Sequence, residues 1–286
     1  MSSQFRLRQT AAVVFCALAG VLSAAPAQAI SFATSRGDLL FGEFSQSPTD
    51  TATSTDTATS TFSSRGIATA DADADAIFPD GETLGGGPAF ASNAIFTEAF
   101  VDGVGFANAA SEASIVGDFF VEASRQAPVD FSFSFLGSVS ALGQVDSPAT
   151  EQASASVGLS WTIFDQSAAG PRILDAFALD AALDTASARD FLSLQTTANV
   201  DLSLAEPLLQ TNFGGSTESA DALAFGRYQR TFDEPRDLQL VEFKQAQAAA
   251  VDVPEPSTLL ASVGIGIAIL NRSRRRACAQ RDTLKR

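Results

Sequence analysis

The sequence contains no histidine, and its two cysteines and two lysines are few for 286 residues. Without histidine, Ser-His-Asp and Cys-His nucleophilic sites and histidine-bearing zinc sites are excluded. Cys16 and Cys278 lie near the two ends, so residues 30–256 hold no disulfide and a packed core must stabilise them. The enzymatic chemistry that survives is glycoside hydrolysis by two carboxylates, whose spatial separation sequence spacing does not reveal.

Basic residues are also scarce between residues 30 and 256, which contain nine Lys and Arg but 32 Asp and Glu, giving a net charge of −23. This charge repels nucleic acid and anionic lipid surfaces, so we expect no nucleic-acid partner. It suits divalent cations, cationic polymers, or simply solubility outside the cell.

The N-terminus has the three parts of a secretory signal peptide. Arg6 and Arg8 are followed by the apolar residues 11–25, and Ala27 and Ala29 give the small-x-small pattern that signal peptidase reads. The pattern predicts a signal peptide over residues 1–29, with Ile30 as the first mature residue.

The C-terminal region combines a proline-rich motif, an apolar run and a basic cluster. The motif is Val253, Pro254, Glu255, Pro256 and Ser257, and the cluster after residues 258–270 contains Arg272, Arg274, Arg275 and Arg276. The apolar run is short for a bilayer, and a buried core helix is the alternative on length alone. The adjoining arginines favour a single transmembrane helix, because their stems extend its reach and the positive-inside bias holds them in the cytoplasm.

These C-terminal features resemble the PEP-CTERM sorting signal over residues 253–276, followed by a basic cytoplasmic tail at 277–286. The resemblance implies recognition at Pro254, Glu255 and Pro256 by an exosortase-type processing protease, transient anchoring in the inner membrane, and release to the cell surface or medium. Members of this group have diverse bodies, often linked to extracellular polymer or biofilm matrix. The layout also looks like that of cyanobacterial PEP-CTERM proteins with a β-rich body of unknown function.

Residues 30–88 form a Ser/Thr/Asp-rich segment in which residues 49–54 repeat without change as 55–60. Such a tract has no apolar face, so we expect an exposed loop or an exposed edge strand. Asp71, Asp73 and Asp75 project to one face if the chain is extended, which makes them a weak calcium candidate or simply a solvated face. Otherwise we expect no metal and no cofactor.

Residues 89–252 alternate apolar and polar side chains in several runs bounded by Pro and Gly. The clearest runs are 129–135, 155–163, 200–204 and 238–243. Residues 173–188 are ambiguous, because their alanines also suit a helix, and we interpret 173–181 as a strand. This pattern predicts an all-β fold, an antiparallel β-sandwich or jelly-roll-like body. Trp161 falls on the apolar side of its strand and is expected in the core, whereas Tyr228, between Arg227 and Arg230, is expected at the surface.

The sequence therefore predicts an exported, non-enzymatic protein of the cell surface or extracellular matrix. A module that binds extracellular polysaccharide is the first alternative, and a carboxylate-dependent glycan hydrolase is the second. An exposed aromatic platform would favour the first alternative, and a cleft with two facing carboxylates would favour the second.

Overall fold

The computed structural model describes residues 30–79, 90–167, 170–202 and 207–253. The described residues fold into strands without a helix, which confirms the all-β prediction. The strands are β1 (Ile30–Gly42), β2 (Asp50–Ile77), β3 (Ala91–Val121), β4 (Val129–Val145), β5 (Glu151–Asp165), β6 (Arg172–Asp184), β7 (Phe191–Thr196), β8 (Val200–Asp201), β9 (Leu208–Asn212), β10 (Thr217–Phe232) and β11 (Arg236–Asp252).

All strands of the described chain belong to one antiparallel sheet. Its order is β7-β6-β5-β11-β3-β1-β4-β10-β8, and β2 and β9 pair with β3 and β10. Antiparallel pairing was predicted and is confirmed. The prediction of a sandwich implied two separate sheets, whereas here one sheet folds over so that its two halves face each other. Phe133 of β4, for example, contacts Trp161 of β5 with ring centroids 5.2 Å apart.

The sheet folds over at the middle of β3. Strand β2 pairs with one edge of β3. The other edge of β3 pairs with β1 at residues 91–102 and with β11 at residues 105–121. Between these stretches Gly103 has φ +101°, and the facing Gly66 of β2 has φ +95°. A Cβ atom on Gly66 would lie 1.8 Å from the backbone oxygen of Asp102. Glycine is therefore required at this corner, because other residues rarely adopt these angles and would collide.

The open side of the sheet is closed by Asp175 of β6. Its carboxylate accepts hydrogen bonds from Tyr228 Oη (3.1 Å) and Arg230 Nη1 (2.9 Å) of β10. It also accepts from Thr197 Oγ1 (2.9 Å) and Asn199 Nδ2 (3.0 Å), which lie between β7 and β8. One carboxylate thus joins strands from both ends of the sheet, and the sheet is nearly closed.

Aromatic side chains fill the space between the two halves. Trp161 is fully buried, stacks on Phe177 at 6.1 Å and meets Phe133 and Phe135 edge-on, which confirms its predicted place in the core. Such pairs contribute about 0.5–1.5 kcal/mol each beyond the burial of their area. The core therefore relies on Phe, consistent with 23 Phe in the sequence.

The predicted strands at 129–135, 155–163, 173–181 and 238–243 are present in β4, β5, β6 and β11. The run at 200–204 is a strand only at Val200–Asp201, and residues 203–206 lie outside the described part. The Thr-rich repeat is an exposed strand, since residues 52–67 of β2 are exposed on both faces.

The prediction for Tyr228 was wrong. The side chain is fully buried, its ring lies 5.2 Å from that of Phe133, and its hydroxyl binds Asp175. The alternation of β10 turns Tyr228 inward, and the polar neighbours that suggested a surface position point to the other face or bind Asp175 themselves.

Candidate sorting site at the end of the last strand

The first and last described strands meet at the corner of β3. Strand β1 begins at Ile30, which pairs with Asp102, and β11 ends at Asp252, which pairs with Gly105 on the same edge. Ser31 Oγ also donates a hydrogen bond to the backbone oxygen of Val251 (3.1 Å). The residue expected to follow the signal peptide and the residue that precedes the C-terminal motif are therefore neighbours.

Val253 is the first residue of the predicted sorting motif and the last residue described at this end. Its backbone N–H donates to the oxygen of Thr150 (3.1 Å), whereas its side chain is 55% exposed. The four residues that follow Val253, up to Ser257, reach at most about 14 Å when fully extended. A protease that cleaves within the motif must therefore work close to the folded body.

Three carboxylates surround this exit point. Asp252 and Glu151 are buried and face each other across β11 and β5, and Asp102 lies on β3 at the corner. Glu151 Oε2 accepts the backbone N–H of Asp146 (2.7 Å). Burial, followed by the charges of Glu151 and Asp102, raises the pKa of Asp252 to about 6. The corner is thus negative at neutral pH, and Asp252 takes up a proton under mildly acidic conditions.

The other predicted site residues fall in two groups. Asp71, Asp73 and Asp75 lie on β2 with their side chains on its exposed face. Across the described ranges, no group of three or more Asp, Glu, His or Cys side chains is arranged to hold a metal ion. The second group lies outside the described residues, so its geometry stays a prediction; it comprises Ala27, Ala29, Pro254, Glu255, Pro256, Ser257, Arg272, Arg274, Arg275 and Arg276.

A shallow groove of about 290 Å³ lies on the outer face of β1, β4, β9 and β10. Its lining includes Asp38, paired with Arg36 at 2.8 Å, and Asp221, which accepts a hydrogen bond from Ser140 (2.6 Å). Both carboxylates are therefore engaged by neighbouring side chains. The groove is open to solvent and its lining mixes apolar and polar side chains, so it offers a surface for weak contacts rather than an enclosed reaction site.

Sequence analysis missed a buried polar cluster formed by Asn93 of β3 with Glu242 and Lys244 of β11. All three residues are almost completely buried. A signal was present, because Glu242 and Lys244 continue the apolar alternation of Leu238 and Leu240 and therefore point inward.

Comparison with protein families finds one match, at the C-terminal end. Residues 252–276 match the PEP-CTERM protein-sorting motif. The match supports an exported protein that carries a C-terminal sorting signal and is processed by an exosortase. It begins at Asp252, the last residue of β11, so the motif follows the folded body directly. No curated protein and no solved structure matches the chain.

One further expectation concerns the membrane anchor. In the part of the chain that the structure describes, no helix is long and apolar enough to cross a membrane. The predicted transmembrane segment, residues 258–270, lies outside that part.

Proposed function

We propose that this chain is an exported, non-enzymatic structural protein of the cell surface or extracellular matrix. In this proposal the body is translocated, held briefly at the inner membrane by its C-terminal helix, and released when an exosortase cleaves near Pro254, Glu255 and Pro256. The observation that carries the proposal is the sorting motif that starts where β11 ends.

The corner geometry supports release as the purpose of processing. Because the motif leaves directly from Asp252, an uncleaved anchor would hold a strongly acidic body within a few residues of the membrane. Anionic headgroups repel such a body, since like charges at this separation are only partly screened. Cleavage relieves this repulsion and frees the body to diffuse outward.

The interior of the body supports a structural role. The space between the two halves of the sheet is filled by aromatic and aliphatic side chains, and the groove that contains Asp38 and Asp221 is shallow and open to solvent. A glycan hydrolase needs one carboxylic acid and one carboxylate facing each other across a substrate cleft. Asp38 and Asp221 instead bind neighbouring side chains on an open surface.

A second candidate function is binding of extracellular polysaccharide, and the groove is the feature that favours it. Its Arg, Asp, Ser and Gln side chains offer donors and acceptors beside the apolar Leu208 and Leu223. Arrays of hydroxyl groups on a glycan match such a mixed surface. The exposed pair Phe62 and Phe106, with ring centroids 5.9 Å apart at the corner, adds a small aromatic surface.

The sorting step can be tested in the native host with a variant in which Pro254, Glu255 and Pro256 are all replaced by alanine. We expect this variant to stay in the membrane fraction at full length, whereas the wild-type body reaches the surface or the medium. A matched control replaces Asn271, Ser273 and Thr283 by alanine, which leaves the motif, the apolar run and the arginines intact. Release of the triplet variant at the wild-type level would contradict exosortase-dependent sorting.

A further inference from the structure

The buried cluster of Asn93, Glu242 and Lys244 has no part in sorting. Lys244 and Glu242 are 0% exposed and Asn93 is 2% exposed, and Lys244 is the only lysine between residues 30 and 256. Burying an ion pair is expensive, and well-packed apolar side chains in its place are often as stable or more so. A role in chemistry is therefore worth seeking for this group.

The geometry places an amine, a carboxylate and a carboxamide together. Asn93 Nδ2 donates to Glu242 Oε2 (2.5 Å), and Lys244 Nζ lies 3.4 Å from Glu242 Oε1. Lys244 Nζ also donates to the backbone oxygen of Asn93. The amine and the amide nitrogen thus lie beside different oxygens of one carboxyl group, which can carry a proton from one to the other. Asn93 Oδ1 and Glu242 Oε1 are buried without a hydrogen-bond partner among the described residues.

The surroundings favour the uncharged forms of the pair. In the sheet register Asn93 lies opposite Leu39, Lys244 opposite Leu159 and Glu242 opposite Trp161. Burial lowers the pKa of Lys244 to about 8 and raises the pKa of Glu242. A neutral amine next to a neutral carboxylic acid is the pair that an attack on an amide carbon needs, since only the unprotonated amine is a nucleophile.

We propose that Lys244 and Asn93 join in an intramolecular isopeptide bond, with Glu242 as the catalytic acid and base. Lys244 Nζ attacks Asn93 Cγ, and as the new C–N bond forms, Glu242 Oε1 accepts a proton from the amine while Oε2 gives its carboxyl proton to Nδ2. The Cγ–Nδ2 bond then breaks, ammonia leaves, and Glu242 is again a carboxylic acid. One amide replaces another, so no oxidant, reductant or co-substrate is consumed.

The isopeptide product removes the free-energy cost of burying an ion pair in the core. The amine of Lys244 has become part of a neutral amide and Glu242 is again a carboxylic acid, so the core no longer holds a group that can form a buried ion pair with Glu242. The bond also ties β3 to β11, the strand that carries the sorting motif, across a sequence separation of 151 residues. An exported body without disulfides would gain a covalent link between the two halves of its sheet, and such links mainly constrain the unfolded chain.

Mass spectrometry of the full-length or processed protein from its host tests the proposal. We expect the intact mass to be about 17 Da below that of the same unmodified chain, the mass of one ammonia lost in amide exchange. After proteolysis, the peptides that contain Asn93 and Lys244 should be recovered as one branched species. Lys244→Arg keeps a cation but cannot form this amide, and Glu242→Gln keeps the shape of the side chain but cannot carry the proton. Both variants should therefore have the unmodified mass.

The branched peptide separates the proposal from other losses of ammonia. A linear Asn93 peptide that has lost about 17 Da, with Lys244 unmodified, would indicate cyclisation of the asparagine side chain and overturn the proposal. Unmodified linear peptides for both residues in the wild-type protein would also overturn it. These outcomes are read from the wild-type protein, so they do not depend on whether the variants fold.

Discussion

Asp175→Ala should destabilise the protein strongly, because this carboxylate closes the open side of the sheet. The side chain of Asp175 is 3% exposed and accepts hydrogen bonds from Arg230, Tyr228, Thr197 and Asn199. Alanine removes the acceptor and leaves the hydroxyl of the buried Tyr228 where water has little access. The two ends of the sheet would then lose their main polar link.

The expected loss of stability depends on whether each of the former donors can bind water or another acceptor instead. Tyr228 is fully buried, and leaving its hydroxyl unpaired costs about 1–3 kcal/mol. Arg230 is 29% exposed and regains some water, while Thr197 keeps its bond to the oxygen of Ala176. Removing one partner of a buried ion pair typically costs about 3–5 kcal/mol in total. We expect the free energy of unfolding to fall by about that amount.

Urea unfolding of the purified protein measures this effect, with the fluorescence of Trp161 as the probe. Trp161 is the only tryptophan and is fully buried, so its emission reports the loss of the core. Asp130→Ala is the matched control, because Asp130 also accepts bonds from two side chains of β10, Gln229 and Thr231, but is exposed. A change within about 0.5 kcal/mol is expected there. Equal losses in the two variants would show that the burial of Asp175 does not determine its contribution to stability.

Two further predictions concern the corner of β3. Gly103→Ala should destabilise the protein by about 1–3 kcal/mol from its positive φ alone, and the new Cβ would also lie 2.4 Å from the backbone oxygen of Arg65. The control Gly42→Ala places a Cβ where no atom lies within 4 Å, so its urea midpoint should change little. Equal midpoints for the two variants would contradict the requirement for glycine at the corner. Asp252 has a folded-state pKa raised from 3.8 to about 6, so the folded state holds a proton that the unfolded state releases, and stability should fall as pH rises between these values. Asp252→Asn should remove this pH dependence and be more stable relative to wild type above pH 6. Urea unfolding of both proteins at several pH values between 4 and 7 measures the effect, and a stability difference independent of pH would contradict the raised pKa of Asp252.

The sequence predicts individual strands well because alternation is a local property. Phe131, Phe133 and Phe135 must share one face of any extended chain, and that face is buried in the structure. The fold of the sheet is not local. It depends on Gly66 and Gly103 meeting across β2 and β3, and neither position stands out among the 20 glycines of the sequence.

The functional residues also divide into those that are contiguous in the sequence and those that only the fold brings together. The sorting signal could be recognised because its parts are contiguous, and the family comparison places a motif at the same residues. The cluster of Asn93, Glu242 and Lys244 unites two strands about 150 residues apart, so only the register of β11 hinted at it. The burial of Tyr228 does not follow from its polar sequence neighbours, because its hydroxyl binds the buried Asp175, which lies 53 residues away in the chain.

Mapping both termini of the protein isolated from its native host tests its release by processing at the sorting motif. We expect a surface or extracellular form that begins at Ile30 and ends between Val253 and Ser257. Such a form would contain the whole folded body and lack the anchor. A chain that retains Arg286 in the inner-membrane fraction, without a shorter form outside, would contradict release by processing at the sorting motif.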